Sequence, residues 1–181
     1  MVTSESLLKA ADSQSLPPVE KWNPEYCGEL NLQIKKDGSW FYEGTPIGRR
    51  RMQNLFSRII KKESDDYFLV TPVEKVKIQV EWMPFTIIDF DLVETESGKV
   101  LRFTDNCDNQ FDLLDNEQWI VDESQGQPLP IVNVRRNLYA SFSRSCYYRL
   151  LETAEFIEEG DQSHMQVISN GLIFSLGNIS E

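Results

Sequence analysis

The stretch GSWFYEGTPIGRRRMQNLFSRII, residues 38–60, with DYFLVTPVEKVKIQVEWMPF, residues 66–85, close behind it, decides how this chain folds. It is entered through Lys36-Asp37-Gly38, a tight-turn signal in which glycine accepts positive φ. Ser39 to Gly44 then carries Trp40, Phe41 and Tyr42, an aromatic run suited to a strand. Just upstream, Leu30, Leu32 and Ile34 alternate with polar residues, so a half-buried strand precedes the turn. Pro46 and Gly48 punctuate the chain. From about Arg49 to Lys62, Met52, Leu55, Phe56, Ile59 and Ile60 recur at the spacing of one buried helical face. Arg50, Arg51, Asn54, Ser57, Arg58 and Lys61 fall on the other side. Ser64-Asp65-Asp66 ends the predicted helix. Tyr67–Val70 and Lys75–Trp82 follow as β segments joined through Thr71-Pro72-Val73-Glu74. In the second, Val76, Ile78 and Val80 share one face, and Lys75, Lys77 and Gln79 the other. The stretch is a strand–helix–hairpin unit, which sets the class as α+β.

Working outward, Ser4–Ala11 can form a short helix before Leu16-Pro17-Pro18 and Asn23-Pro24 break the pattern, so residues 1–21 read as a loosely attached arm. Met83-Pro84 reads as a joint. Beyond it, strands are expected at Phe85–Thr95, Val100–Thr104, Phe111–Leu114, Trp119–Val121 and Ile131–Val134, with a turn at Glu96-Ser97-Gly98-Lys99. A second helix is expected from about Arg144 to Glu158, with Ser143 as N-cap, Gly160 as stop and Tyr147, Leu150, Leu151, Ala154 and Ile157 as its apolar stripe. Met165–Ile168 and Leu172–Leu176 flank Ser169-Asn170-Gly171, where Asn-Gly signals a hairpin. The organisation is an arm (1–21), a first α+β repeat (22–83) and a second β-rich domain with one helix (84–181). The shared order of elements suggests two related halves, a duplicated core.

Apolar residues make up 40% of the 181, with 10 Phe, 6 Tyr and 4 Trp, enough to bury a core. The net charge of −11 argues against non-specific nucleic-acid binding, which needs a positive surface. The charge is uneven. Residues 1–80 carry 12 Lys/Arg against 11 Asp/Glu (+1), and residues 81–181 carry 6 against 18 (−12). Three widely spaced cysteines, Cys27, Cys107 and Cys146, fit reduced thiols in a cytoplasmic protein better than a secreted scaffold. No basic-then-apolar leader opens the chain, and no apolar run approaches the length of a membrane span. The expectation is a soluble, cytoplasmic protein of undetermined oligomeric state.

Signals for chemistry are weak. His164 is the only histidine, so no two-histidine metal site and no conventional Ser–His–Asp arrangement is available. Asp89 and Asp91 share a strand face and could pair carboxylates around a metal for hydrolysis, or simply be solvated. Asp105–Asn109 superficially resembles the start of a calcium loop, but Gln110 replaces the required glycine and Asn116 the closing glutamate. No glycine-rich phosphate loop is present. No catalytic residue, metal or cofactor is expected.

Signals for binding are better. At 100° per residue, Arg51, Arg58 and Lys62 form one stripe beside the apolar face of the first helix. Guanidinium groups grip phosphate or carboxylate, so the stripe could hold an anion, or pair with acids of the second half. Thr71, Glu74 and Lys75 sit in a Pro-bent connection where polar groups can meet a ligand, although Pro72 also serves simply to end a strand. Arg135 and Arg136 end a strand in the second half and could approach the same cleft. Tyr148, like Tyr42, Tyr67, Tyr147 and Trp82, offers a stacking surface, or packs as core or rim.

The two quoted stretches, together with LPIVNVRRNLYASFSRSCYYRLLETA (residues 129–154), resemble the uncharacterised proteobacterial family catalogued as domain of unknown function 1285. The resemblance spans about Trp22 to Ser175 and is carried best by Tyr-Glu-Gly-x-Pro-Ile before the helix and Leu-Val-Thr-Pro-Val-Glu-Lys after it. It implies a duplicated α+β core whose second half is superficially pleckstrin-homology-like. It further implies a small-ligand site for a nucleotide-like molecule between the halves, and a role in signalling. The resulting expectation is a non-enzymatic sensor or adaptor that binds a small anionic ligand, through Arg51, Arg58, Lys62, Thr71, Glu74, Lys75, Arg135 and Tyr148. The alternatives are a protein–protein interaction module or, third, a metal-dependent hydrolase using Asp89 and Asp91.

Overall fold

The computed structural model describes residues 15–159 and 162–179; the predicted helix at Ser4–Ala11 and the predicted stop at Gly160 lie outside them. The chain divides between Pro84 and Phe85 into two compact units.

In the first unit, strands β1 (Tyr26–Ile34), β2 (Trp40–Tyr42) and β3 (Thr45–Pro46) form an antiparallel meander, as do β4 (Ile60–Glu63), β5 (Asp66–Val70) and β6 (Lys75–Val80). Helix α1 (Arg50–Arg58) links the two meanders. The first and last strands pair in parallel at the centre, giving the sheet order β3-β2-β1-β6-β5-β4. The predicted alternation in β6 holds: Val76 and Ile78 are buried while Lys75, Lys77 and Gln79 are not. Leu32, Ile34, Trp40, Phe56, Ile59, Ile60 and Leu69 make the centre of the core.

The first helix is shorter than the sequence pattern predicts. It stops at Arg58, and Ile60–Glu63 become β4, with Ile60 opposite Leu69 and Val70 N–H donating to Ile59 C=O at 3.0 Å. Ile59 and Ile60 fit either period, and their β-branching favours the strand once β5 offers a ladder. Residues 15–22 also depart from expectation. They are seated rather than loose, with Pro17 and Val19 buried and a 3-10 turn at Val19–Lys21.

The second unit repeats the sheet plan. Strands β7 (Phe85–Thr95), β8 (Gly98–Asp105) and β9 (Gln110–Asp112) form one meander, and β10 (Trp119–Asp122), β11 (Leu129–Arg135) and β12 (Leu138–Phe142) the other. Again the first and last strands are parallel neighbours, in the order β10-β11-β12-β7-β8-β9. Helix α2 (Arg144–Glu152) follows the second meander instead of joining the two. The sequence pattern predicts no strand at Leu138–Phe142. Its parallel partner β7 lies far upstream, and nothing local announces that pairing.

Ser143 caps α2 as expected, its hydroxyl accepting from Cys146 N–H at 3.3 Å. The helix ends at Glu152, six residues early. Thr153 Oγ1 donates to Leu150 C=O at 2.8 Å, and β13 (Glu155–Glu159) begins instead. It pairs with β14 (Gln162–Ser169), which pairs with β15 (Leu172–Ile179), so Ile157 belongs to a strand and not to a helical stripe. The Asn170-Gly171 turn has φ of 52° and 72°, the positive values that the Asn-Gly signal predicts.

Aromatic rings fill the core of the second unit. Phe103 lies 5.5 Å from Phe142 and 5.9 Å from Phe111, and Trp119 lies 5.7 Å from Phe174 of β15. The β14–β15 hairpin is locked by Ser169, which is fully buried. Its hydroxyl accepts from Leu101 N–H at 2.9 Å and donates to Leu113 C=O at 2.6 Å. Thus two six-stranded sheets, each accompanied by one helix, make two β-rich halves.

Candidate functional site

Between Gly44 and Lys62 the chain carries Arg49, Arg50, Arg51, Arg58, Lys61 and Lys62 and no acid. This run becomes the approach to α1, the helix itself and the start of β4. Arg49 is the N-cap residue, in extended conformation and without a side-chain cap, and no acid lies in the first turn. Gln53 Nε2 donates to Ile47 C=O at 2.7 Å and fixes the chain entering the helix. Arg49, Arg50 and Arg51 are exposed. Three guanidinium groups therefore stand at the positive end of the helix dipole, where an anion is favoured and a cation disfavoured. Arg51 and Arg58 are seven residues apart, close to two full turns, so they share one side of α1 about 10 Å apart along its axis.

The basic stripe expected of Arg51, Arg58 and Lys62 is broken at its third member. Lys62 is on β4, where its ammonium stands 5.4 Å over the ring of Tyr67. Burial, with the charge of Asp65 adding to it, pushes the Tyr67 phenol up to about 12. Arg58 donates through Nη2 to the backbone C=O of Ser15, and Lys61 Nζ to that of Trp22 at 3.3 Å.

Along the sheet the cations meet acids of the same unit. Glu63 accepts from Lys75 at 2.8 Å and pairs with Lys61 at 3.1 Å, and Lys77 pairs with Asp66 at 2.8 Å. The hydrogen bond from Lys75 is the main reason that the Glu63 carboxyl titrates below its ordinary range. Lys75 also lies 5.1 Å over the Phe68 ring. Lys35 pairs with Glu81 at 2.8 Å. Arg49 and Arg51 have no such acid among the described residues.

Thr71 and Glu74 build a turn. The buried Thr71 hydroxyl accepts from Glu74 N–H at 3.0 Å and Val73 N–H at 3.3 Å, while Thr71 N–H donates to Glu74 C=O at 2.9 Å. The hydroxyl is thereby spent on the backbone, and the tip shows Pro72 and Val73 outward. The cleft between Asp65, Asp66, Tyr67, Lys77 and Glu81, of about 230 Å³, is lined by three carboxylates against one lysine, the wrong sign for an anion.

Arg135 and Tyr148 belong to the second unit. The Arg135 guanidinium stacks 4.8 Å over Phe85 and donates to Asn109 Oδ1 at 3.2 Å. Asn109 in turn donates to the buried Asp105, whose carboxylate also accepts from Cys107 N–H at 2.8 Å and Asn109 N–H at 2.9 Å. Burial raises the Asp105 pKa, against these bonds and the charge of Arg135. The acidic loop is thus folded on its own carboxylate. Tyr148 is exposed on α2 beneath Arg144, 5.6 Å from its ring centre, whereas Tyr147 packs against Phe142.

Asp89 is ion-paired with Arg149, which also donates to Phe90 C=O at 2.8 Å and lies 4.4 Å over the Phe90 ring. This pairing holds the Asp89 carboxyl below its usual range. Asp91 faces Arg102 across the ladder, and Arg102 grips Asp112 through Nε and Nη2 at 2.6 and 2.9 Å. Among the described residues no group of three His, Cys, Asp or Glu is placed to hold a metal ion. None of the three cysteines is in a disulfide; Cys27 is exposed and the others are buried. No described helix is long and apolar enough to cross a membrane.

Two family models divide the chain within one residue of the division made by its packing. The N-terminal domain of DUF1285, a domain of unknown function, matches residues 17–83, and the C-terminal domain of the same family matches residues 84–176. The chain belongs to the DUF1285 family. A crystal structure of a DUF1285 family protein from Silicibacter pomeroyi DSS-3 is similar over 99% of this chain and 97% of its own, at 36% identity and a TM-score of 0.83. One from Shewanella baltica OS155 matches 68% of this chain and 91% of its own, at 28% identity and a TM-score of 0.56. No curated protein matches the chain.

The sequence-based list omitted Arg49 and Lys61. Lys61 falls on a second helical stripe, with Arg50 and Asn54, and the acid-free interval is the signal that brings both Arg49 and Lys61 in.

Proposed function

We propose that this DUF1285 protein is a non-enzymatic binding protein for a small anionic, phosphate-bearing ligand of nucleotide-like character, received at the basic segment around α1. The single observation that carries the reading is the acid-free run from Arg49 to Lys62, with Arg49 and Arg51 at the helix's positive end unmatched by any acid among the described residues. Arg51 and Arg58 on one side of α1 are spaced for two anionic groups of one ligand. A sensor or adaptor role in signalling follows if occupancy changes the segments these residues touch. The common sheet plan of the two units supports descent from a duplicated core.

Calorimetric titration with ATP, inorganic pyrophosphate and adenosine tests the reading. ATP and pyrophosphate are expected to bind, and adenosine to bind far more weakly. Arg51→Ala is expected to weaken pyrophosphate about tenfold, the scale of one charge-assisted hydrogen bond. Equal affinity for ATP and adenosine, or an Arg51→Ala variant that binds like the parent, sinks it.

A second reading, a protein-interaction module, is favoured by Ile168 and Ile173, paired across the β14–β15 hairpin and 43% and 60% exposed. A partner held there is lost on Ile173→Glu without change in the melting temperature. Retention of the partner by that variant removes the reading.

A further inference from the structure

Residues 15–22 lie against the same basic segment and use two of its cations. Arg58 Nη2 donates to Ser15 C=O and Lys61 Nζ to Trp22 C=O, so the two carbonyls bracket the segment at either end. Between them Pro17 and Val19 are buried, Val19 completely, and the 3-10 turn is closed by Lys21 N–H to Pro18 C=O at 2.9 Å and Trp22 N–H to Val19 C=O at 3.2 Å. Among the contacts that hold the segment are a small apolar anchor and two backbone carbonyls on cationic donors, of which Lys61 also pairs with Glu63 at 3.1 Å. Phosphate oxygens are stronger acceptors for the same donors than backbone carbonyls, because the charge assists the bond. An anion that engages Arg58 and Lys61 meets the strap already in place, and the two cannot use the same N–H groups at once.

We propose that residues 15–22 are an autoinhibitory strap that competes with the anionic ligand for Arg58 and Lys61 and is released when the ligand binds. This rests on the anion-binding reading above. Competition of this kind is reciprocal: whatever unseats the strap tightens the ligand, and the ligand loosens the strap by the same factor. Among the described residues, no hydrogen bond or ion pair joins Arg49 or Arg51 to the strap. They can receive the anion first, and the strap yields second.

The test is made on the full chain with inorganic pyrophosphate as the probe. Val19→Asp puts a carboxylate where the anchor is fully buried, and is expected to tighten pyrophosphate about tenfold, within the usual range of coupling between two sites. Hydrogen exchange on the unsubstituted protein gives a second readout that does not depend on the variant folding. Pyrophosphate is expected to speed exchange at the amides of Val19, Lys21 and Trp22. Binding with unchanged or slowed exchange there, or a folded Val19→Asp variant with unaltered affinity, overturns the strap and leaves the binding site standing. No pyrophosphate binding by either protein overturns both.

Discussion

The two six-stranded sheets follow one plan and put their cations to opposite uses. Each joins two three-stranded meanders through a central parallel pair, β1 with β6 and β12 with β7. In the second unit Arg102, Arg135 and Arg149 are each consumed by structure: a bidentate carboxylate, a loop amide over a phenyl ring, and an ion pair over another ring. In the first unit the sheet lysines are likewise paired, but the arginines before and on α1 are not all so employed. The position of the helix makes the difference. Set between the meanders, α1 brings an acid-free run of sequence to one place. Set after them, α2 brings Arg149 onto a strand that already offers Asp89. A cation with a built partner stabilises the fold; one without is available to a ligand.

This comparison can be broken at several levels, beginning with the largest effect. Phe103→Ala removes the ring at the centre of the second unit's aromatic core and is expected to cost about 3–5 kcal/mol, read by denaturant unfolding. Ser169→Ala orphans the buried Leu101 N–H and Leu113 C=O together, for about 1–3 kcal/mol, and hydrogen exchange should rise first at the β14–β15 turn. Arg149→Ala loses a cation–π contact and a largely exposed ion pair, about 1 kcal/mol. Arg51→Ala should change stability by less than about 0.5 kcal/mol while weakening the anion, the reverse of Arg149→Ala. If Arg51→Ala destabilises as much as Arg149→Ala, the division of labour between the units is wrong.

The dependence on pH has a definite sign. Glu63, Asp89 and Asp112 all have carboxyls lowered on folding, chiefly by hydrogen bonds from Lys75, Arg149 and Arg102. Their contribution is present above the ordinary values of 4.5 and 3.8 and is lost as pH falls through the folded ones. Asp105 works against them, since its raised pKa favours the protonated form in the folded protein. Melting temperatures should therefore fall below about pH 4.5, and less steeply in Asp89→Asn, which has one lowered carboxyl fewer.

Much of this arrangement was legible in the sequence, and the failures have physical causes. The Asn170-Gly171 turn and the Ser143 cap were readable because each depends on the local chemistry of one or two residues. The ends of both helices were not. Ile59-Ile60 and Phe156-Ile157 suit a helix or a strand, and a ladder to a distant partner chose the strand. Strand β12 was missed for the same reason. At the candidate site the excess of positive charge was readable, but its neighbours were not. That Glu63 takes Lys61 and Lys75, that Thr71 spends its hydroxyl on its own turn, and that Ser15 and Trp22 offer carbonyls to Arg58 and Lys61 all depend on tertiary contact.

The most direct test of the central claim is an amide chemical-shift titration of the full chain with inorganic pyrophosphate. The largest and earliest shifts are expected at Arg49–Met52, at the amino end of α1, with the amides of β7 and β8 unmoved and the shifts abolished in an Arg49→Ala/Arg51→Ala variant. Shifts that fall instead around Arg102, Arg135 or Arg149, or that persist in that variant, would contradict the assignment of the unmatched charge to the first unit.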